Sequence, residues 1–245
     1  MIPIDRVIDK LNRLFEVNDL AGAGRLLAYW ENEARALGDK RGLLEILSEL
    51  IGYYRRTGEK EKGLFAVNEA FELIEEGDMI DSVSAATVYL NGATTMKAFG
   101  LAREAMPYYE KASLIYENAL EPSDYRIAAL YNNASAAYKD LNELEKCEEC
   151  CYKAIGILKL NEGCLGEIAV TLINLAHLYY EQDPLDERVY EIMDKAWDCL
   201  NSEKNVHDGN FAFLCSKCYT SFGYFGYFER ESALKALTEK IYEGN

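Results

Sequence analysis

Three stretches decide the fold: residues 86–100, ATVYLNGATTMKAFG; residues 128–142, AALYNNASAAYKDLN; and residues 169–183, AVTLINLAHLYYEQD. Each opens on alanine, carries asparagine at its sixth position and a large apolar residue at its eleventh, and closes on Gly100, Asn142 or Asp183. Outward from these, the closing position recurs at Asn18, Gly58 and Gly226, and the six positions stand 40, 42, 42, 41 and 43 residues apart. A fixed period of this size marks stacked units, each burying its apolar face on a neighbour. The expected product is a single solenoid domain over 1–245. Residues 1–40 form a capping hairpin, 41–202 the core repeats and 203–245 the last repeat with its cap.

Other columns follow the same period. Four residues before the turns stand Tyr54, Met96, Tyr138, Tyr179 and Phe222; fourteen before stand Leu44, Ala86, Ala128, Ala169 and Ala212. After the turns come Ala70, Ala112, Ala154 and Ala196, the last displaced by one residue where Pro184 is added. Apolar residues at intervals of three and four are helical spacing, and the small ones fall where two helix backbones approach closely. Each unit therefore reads as an antiparallel helix pair. Gly58 and Gly100 suit helix ends that need positive φ, while Asp81 and Ser123 suit helix starts. The spacing predicts helices over 4–17, 20–37, 41–57, 60–76, 82–98, 101–118, 124–140, 143–160, 166–181, 186–201, 209–224 and 228–242, hence an all-α fold of about six helical hairpins.

Composition bounds the rest. Apolar residues are 49% of the 245 and charged residues 28%, the composition of a folded chain with ample surface to bury. The first fifteen residues, MIPIDRVIDKLNRLF, lack a basic head, an apolar run and a cleavage site, and no window approaches eighteen uninterrupted apolar residues. No secretory leader and no membrane span are expected. A net charge of −16 repels phosphate backbones and anionic membrane surfaces, which argues against nucleic acid as a partner. Seven cysteines, an odd number lying mostly within helices, fit a reducing cytoplasm.

The repeats resemble the tetratricopeptide repeat, whose pattern is W-x2-L-G-x2-Y followed by A-x3-F. Tyr131-x2-Ala134-Ser135-x2-Tyr138 leads to Cys147-x3-Cys151; Leu172-x2-Leu175-Ala176-x2-Tyr179 leads to Val189-x3-Met193; Tyr89-x2-Gly92-Ala93-x2-Met96 leads to Ala105-x3-Tyr109. The match is strong over 41–200 and weaker in the terminal hairpins. The period is nearer 42 than 34 and the usual Trp, Gly and late Pro are replaced, so the chain is similar to the longer variant of kinesin light chains and bacterial peptide-sensing regulators. The resemblance implies a right-handed α-solenoid whose first helices line a concave groove for a protein or peptide.

Nine residues before three successive turns stands the same residue: Asn91, Asn133 and Asn174. A carboxamide offers a donor and an acceptor together and can grip an extended backbone whatever its side chains. Asparagine is also a poor mid-helix residue, so three in register call for a role, in the groove or in fixing repeat spacing. The resemblance implies the groove. Six residues further lie Arg55 (from the preceding repeat), Lys97 and Lys139, with Tyr180 next; Thr94 and His177 fall between, and Lys217 takes the asparagine column in the last repeat. A basic row in an acidic chain focuses attraction on an acidic ligand, unless each lysine simply pairs with a local glutamate.

Other signals point away from chemistry. Cys147-x2-Cys150 and Cys215-x2-Cys218 could suggest zinc, yet they occupy core columns and read as buried thiols, with Cys150 the one expected to be exposed and reactive. Gly22-Ala23-Gly24 lacks a preceding strand and a following Gly-Lys-Ser, and reads as a close helix approach. Glu75-Glu76 and Glu148-Glu149 read as solvated charge. With two histidines in all, no catalytic order of Ser, His and Asp and no shared carboxylate pocket, neither a reaction nor a cofactor is expected. Eight aromatic residues between Phe211 and Phe228 exceed the needs of one layer and suggest a groove wall or a self-association face, hence a possible homodimer. The leading expectation is a non-catalytic protein-binding scaffold. The alternatives are a sensor whose curvature responds to a peptide and a homo-oligomeric assembly module.

Overall fold

The computed structural model describes residues 1–77 and 82–244, and among these twelve α-helices and no strand are found. In order they are α1 (Ile4–Glu16), α2 (Leu20–Ala36), α3 (Lys40–Thr57), α4 (Lys60–Glu76), α5 (Val83–Ala98), α6 (Ala102–Ala119), α7 (Tyr125–Asp140), α8 (Leu144–Leu158), α9 (Leu165–Gln182), α10 (Arg188–Leu200), α11 (Gly209–Tyr224) and α12 (Phe228–Tyr242). Consecutive helices pair as six hairpins, and the chain divides into two compact units, residues 1–120 and 121–245, of three hairpins each. The predicted helices are all present, with ends moved by no more than two residues.

The turns explain why each hairpin closes. Asn18, Gly58, Gly100, Asn142 and Gly226 all adopt positive φ, between 55° and 86°. Glycine reaches that region without steric cost and asparagine tolerates it. Asp183 departs from its column: its φ is −148°, because Pro184 follows it and biases it to extended backbone. Asp19, Asp39 and Asp208 cap α2, α3 and α11 by accepting backbone N–H bonds, from Gly22, Gly42 and Phe211. One expected start moves. Asp124, not Ser123, caps α7 by accepting from the Arg126 N–H, since the carboxylate also takes the Arg126 side chain. Ser82 caps α5, accepting from the Ala85 N–H, and Asp81 lies outside the described residues.

Within hairpins, cations of the second helix lie over tyrosines of the first. Lys62 stands 5.7 Å from the Tyr54 ring centroid, Lys146 5.3 Å from Tyr138 and Arg188 3.8 Å from Tyr179, all near the turn. Each pairs the two helices at a cost of little desolvation, worth about 0.5–1 kcal/mol when exposed.

The alanine columns fill the seams, and Ala70, Ala86, Ala112, Ala128, Ala154, Ala169, Ala196 and Ala212 are fully buried. In the second unit one core joins Cys147, Cys151, Tyr179, Met193, Cys215, Cys218 and Phe222, so these thiols act as small apolar side chains. Gly24 in α2 admits Tyr53 of α3, whose hydroxyl occupies the place a Cβ would take. That close approach is the role read for the Gly-Ala-Gly string.

Candidate functional site

In the first unit the first helices are α1, α3 and α5, and α3 and α5 share a polar seam. Asn91 donates from Nδ2 to Ser48 Oγ at 3.0 Å, across the seam. Arg55, in the last turn of α3, donates from one terminal nitrogen to the Asn91 carbonyl at 3.3 Å and to Thr95 Oγ1 at 3.2 Å. Thr95 is buried and its hydroxyl donates to the Ile51 carbonyl. Burial pulls the Arg55 pKa below its ordinary value, yet an arginine stays charged. Among the described residues no carboxylate lies within ion-pair range of Arg55, so a half-buried cation rests on neutral acceptors only. Lys97 occupies the same column in α5 and is also half-buried.

Glu49 stands in the asparagine column of α3. Burial, then the charge of Glu45 one turn earlier, pushes its pKa up. A protonated Glu49 presents a donor and an acceptor, as the asparagines do.

In the second unit the first helices are α7, α9 and α11. Asn174 donates to Asn132 Oδ1 at 3.1 Å, so it reaches the preceding first helix as Asn91 does. Asn133 instead donates to Ala129 O of its own helix at 2.8 Å. Lys139 pairs with Glu181 at 2.8 Å, the paired-glutamate outcome for that member of the basic row. His177 shares a hydrogen bond with Ser221 Oγ at 2.9 Å, and its ring lies 4.8 Å from Phe225 and 5.4 Å from Tyr224. Burial lowers the His177 pKa, the Lys139 charge lowers it further, and Glu181 opposes both. Lys217 is exposed, with its ammonium 4.4 Å from the Phe213 centroid.

The structure thus joins Asn91 with Arg55 in one unit, and brings Lys139 and His177 beside Glu181 in the other. The partners that sequence reasoning passed over are Ser48, Thr95, Asn132, Ser221 and Glu181. Ser48 and Asn132 do share a signal, since each stands ten residues before its turn and receives the asparagine of the following repeat.

Two expectations change. Cys150 is only 8% exposed and burial pushes its thiol up to about 11, so it is not the reactive cysteine; α8 turns it against the core. Cys164 and Cys199 are the half-buried ones. Glu148 is not merely solvated, because it accepts the Tyr179 hydroxyl, which also meets Tyr152 at 2.9 Å. In the aromatic stretch, Phe211 and Phe222 are buried, Phe225 packs on His177, and Tyr227 lies under Arg230; Tyr224 and Phe228 are the exposed pair.

No group of three His, Cys, Asp or Glu among the described residues is placed to hold a metal ion. No helix among them is long and apolar enough to cross a membrane.

No protein-family model matches the chain, and no curated protein matches it either. Solved structures do. The nearly identical TPR-like repeats of Podosopora anserina, named for a kinesin light chain, superpose with a TM-score of 0.57 at 14% identity, covering 81% of this chain and 94% of that one. BtubC (BKLC) from P. vanneervenii superposes with the same score at 20% identity, covering 98% and 91%. With its twelve helices in register along a period of about 42 residues, the chain has the all-α solenoid fold of TPR-like repeat proteins.

Proposed function

We propose that the chain is a non-catalytic scaffold that holds a segment of a protein partner against its first-helix faces. The TPR-like repeat fold supports a protein-interaction scaffold in general. The observation that carries the finer reading is Arg55. A cation drawn out of water and bonded only to a carbonyl and a hydroxyl has not recovered its hydration. A carboxylate from an acidic partner segment would complete it with charge-assisted bonds. His177, Asn133 and Asn174 offer polar contacts to the partner backbone. Pocketed apolar side chains supply most of the affinity, since an exposed ion pair contributes only about 0–1 kcal/mol. The working environment is a reducing one such as the cytoplasm, in keeping with seven free thiols, and nucleic acid is disfavoured by the net charge of −16.

Asn133→Ala and Arg55→Gln test this, Asn133 because its bond lies within its own helix and its loss leaves no partner stranded. Affinity capture from native lysate would compare each variant with wild type by mass spectrometry. A protein retained by wild type and lost by both, with melting within a few degrees, supports the reading. Identical captured sets overturn it.

One observation favours self-association instead. Tyr224 and Phe228, at the end of the second unit, are 62% and 68% exposed. Light scattering against concentration, with Tyr224→Glu as the control, separates that outcome from heterotypic binding.

A further inference from the structure

The second-helix side of the first unit carries a pocket unrelated to Arg55 and the asparagines. It is open, of about 330 Å³, and lies among α2, α3 and α4. Its floor is apolar, formed by the buried Leu47 and Leu50 and the ring of Tyr54. Phe65 stands at its edge, 68% exposed, while Val67, Phe71 and Ile74 of the same helix are buried.

The rim is acidic. Glu31, Glu61 and Glu69 line it with a single lysine, Lys62. Both nearby cations are already engaged. Arg35 binds Glu31 Oε1 at 2.7 Å and both oxygens of Glu69, and Lys62 binds Glu59 at 2.5 Å. Glu61 pairs with no described residue, and Glu31 uses only one oxygen on Arg35. Carboxylate charge is therefore left uncompensated above an apolar floor.

We infer that this pocket receives an arginine side chain from a protein partner. Arginine alone joins the three demands. Its stem covers the leucine floor, its planar face stacks on Tyr54 or Phe65, and its fork of donors reaches Glu61 and the second oxygen of Glu31. Lysine would meet the charge without the stacking or the paired bonds. The chain's overall charge of −16 steers a basic partner toward the surface before the pocket selects it. The inference concerns a different face and the opposite ligand charge from the proposed carboxylate site, so each can fail alone.

The test is a nuclear magnetic resonance titration of the nitrogen-15-labelled full chain with acetyl-Leu-Arg-Leu-amide. The control peptide carries citrulline, which keeps the shape and removes the charge. Amide shifts confined to the neighbourhood of Tyr54, Glu61, Phe65 and Glu69 are expected, with citrulline binding about tenfold weaker. Glu61→Lys and Phe65→Ala, both at exposed positions, should each weaken the arginine peptide about fivefold or more while the remaining spectrum is unchanged. Four results overturn the inference: equal response to both peptides, which makes the occupant merely apolar; shifts at Asn91 and Thr95 instead; concentration-dependent shifts without peptide, which makes the occupant a second copy; or no response at millimolar peptide.

Discussion

Arg55 in the first unit and Lys139 in the second hold the same place, three residues before a turn, and meet opposite surroundings. Lys139 reaches Glu181 of the next first helix. Arg55 reaches a carbonyl and a hydroxyl. The cause is one column: two residues before its turn, α9 carries Glu181, where α5 carries Ala98. A repeat position therefore fixes geometry, and the residue on the neighbouring repeat decides whether a charge is spent inside the molecule or left for a partner.

The largest contrast between the units should appear four residues before the turns. Tyr179 is buried, its hydroxyl bonds Glu148 and Tyr152, and Arg188 covers its ring. Tyr179→Ala should cost about 3–5 kcal/mol, by analogy with other buried aromatic truncations. Met96, in the same column of the first unit, is half-buried, and Met96→Ala should cost about 1–2 kcal/mol, below the usual range for a buried methionine. Hydrogen exchange locates each loss in its own unit. Equal losses would mean that the column is energetically uniform.

Much of this was legible from the residues. The turn column gave the period, and the alanine columns gave the seams, because close packing allows only small residues there. What escaped was pairing across repeats. Asn91 and Asn174 both reach a neighbour while Asn133 bends back onto Ala129, and nothing in the asparagine column itself distinguishes them. The distinction lies in the residue ten before the preceding turn, Ser48 or Asn132, which reads as an unremarkable polar position until two helices are placed side by side. Cys150 was missed for a related reason. Three cysteines within five residues of one helix invite an exposed member, yet the face of α8 that holds Cys147 and Cys151 is wide enough to take Cys150 as well.

Acid should separate the units by sign. His177 has a lowered folded pKa, so between that value and about 6.5 the unfolded chain binds more protons and stability falls as pH drops. Glu49 has a raised folded pKa, so above about 4.5 the folded chain binds more protons and stability falls as pH rises. Each slope is at most about 1.4 kcal/mol per pH unit. His177→Gln should flatten the first and Glu49→Gln the second, read from urea midpoints between pH 4.5 and 7. A variant that changes the slope in the other direction would reverse the assignment.

Asparagine truncation is a smaller effect with the same logic. Asn91→Ala removes a bond to the buried Ser48 hydroxyl and should cost about 1 kcal/mol. Asn133→Ala removes only a bond within its helix and gains helix propensity, so it should be neutral within about 0.5 kcal/mol.

The finest test exchanges the column that separates Arg55 from Lys139. Ala98 is exposed at the end of α5, so Ala98→Glu supplies a carboxylate where α9 has Glu181. Glu181→Ala does the reverse and releases Lys139. Both changes lie at partly solvated sites, and each should move stability by no more than about 1 kcal/mol. Their effects on an acidic ligand should be opposite. Ala98→Glu fills the Arg55 site from within and weakens capture, whereas Glu181→Ala exposes a second cation and strengthens it. The measurement is the affinity of the captured partner for the two variants beside wild type, at two salt concentrations. If Ala98→Glu leaves affinity untouched, Arg55 is a seam residue whose cost the fold bears for its own packing, and the comparison between the units describes architecture alone.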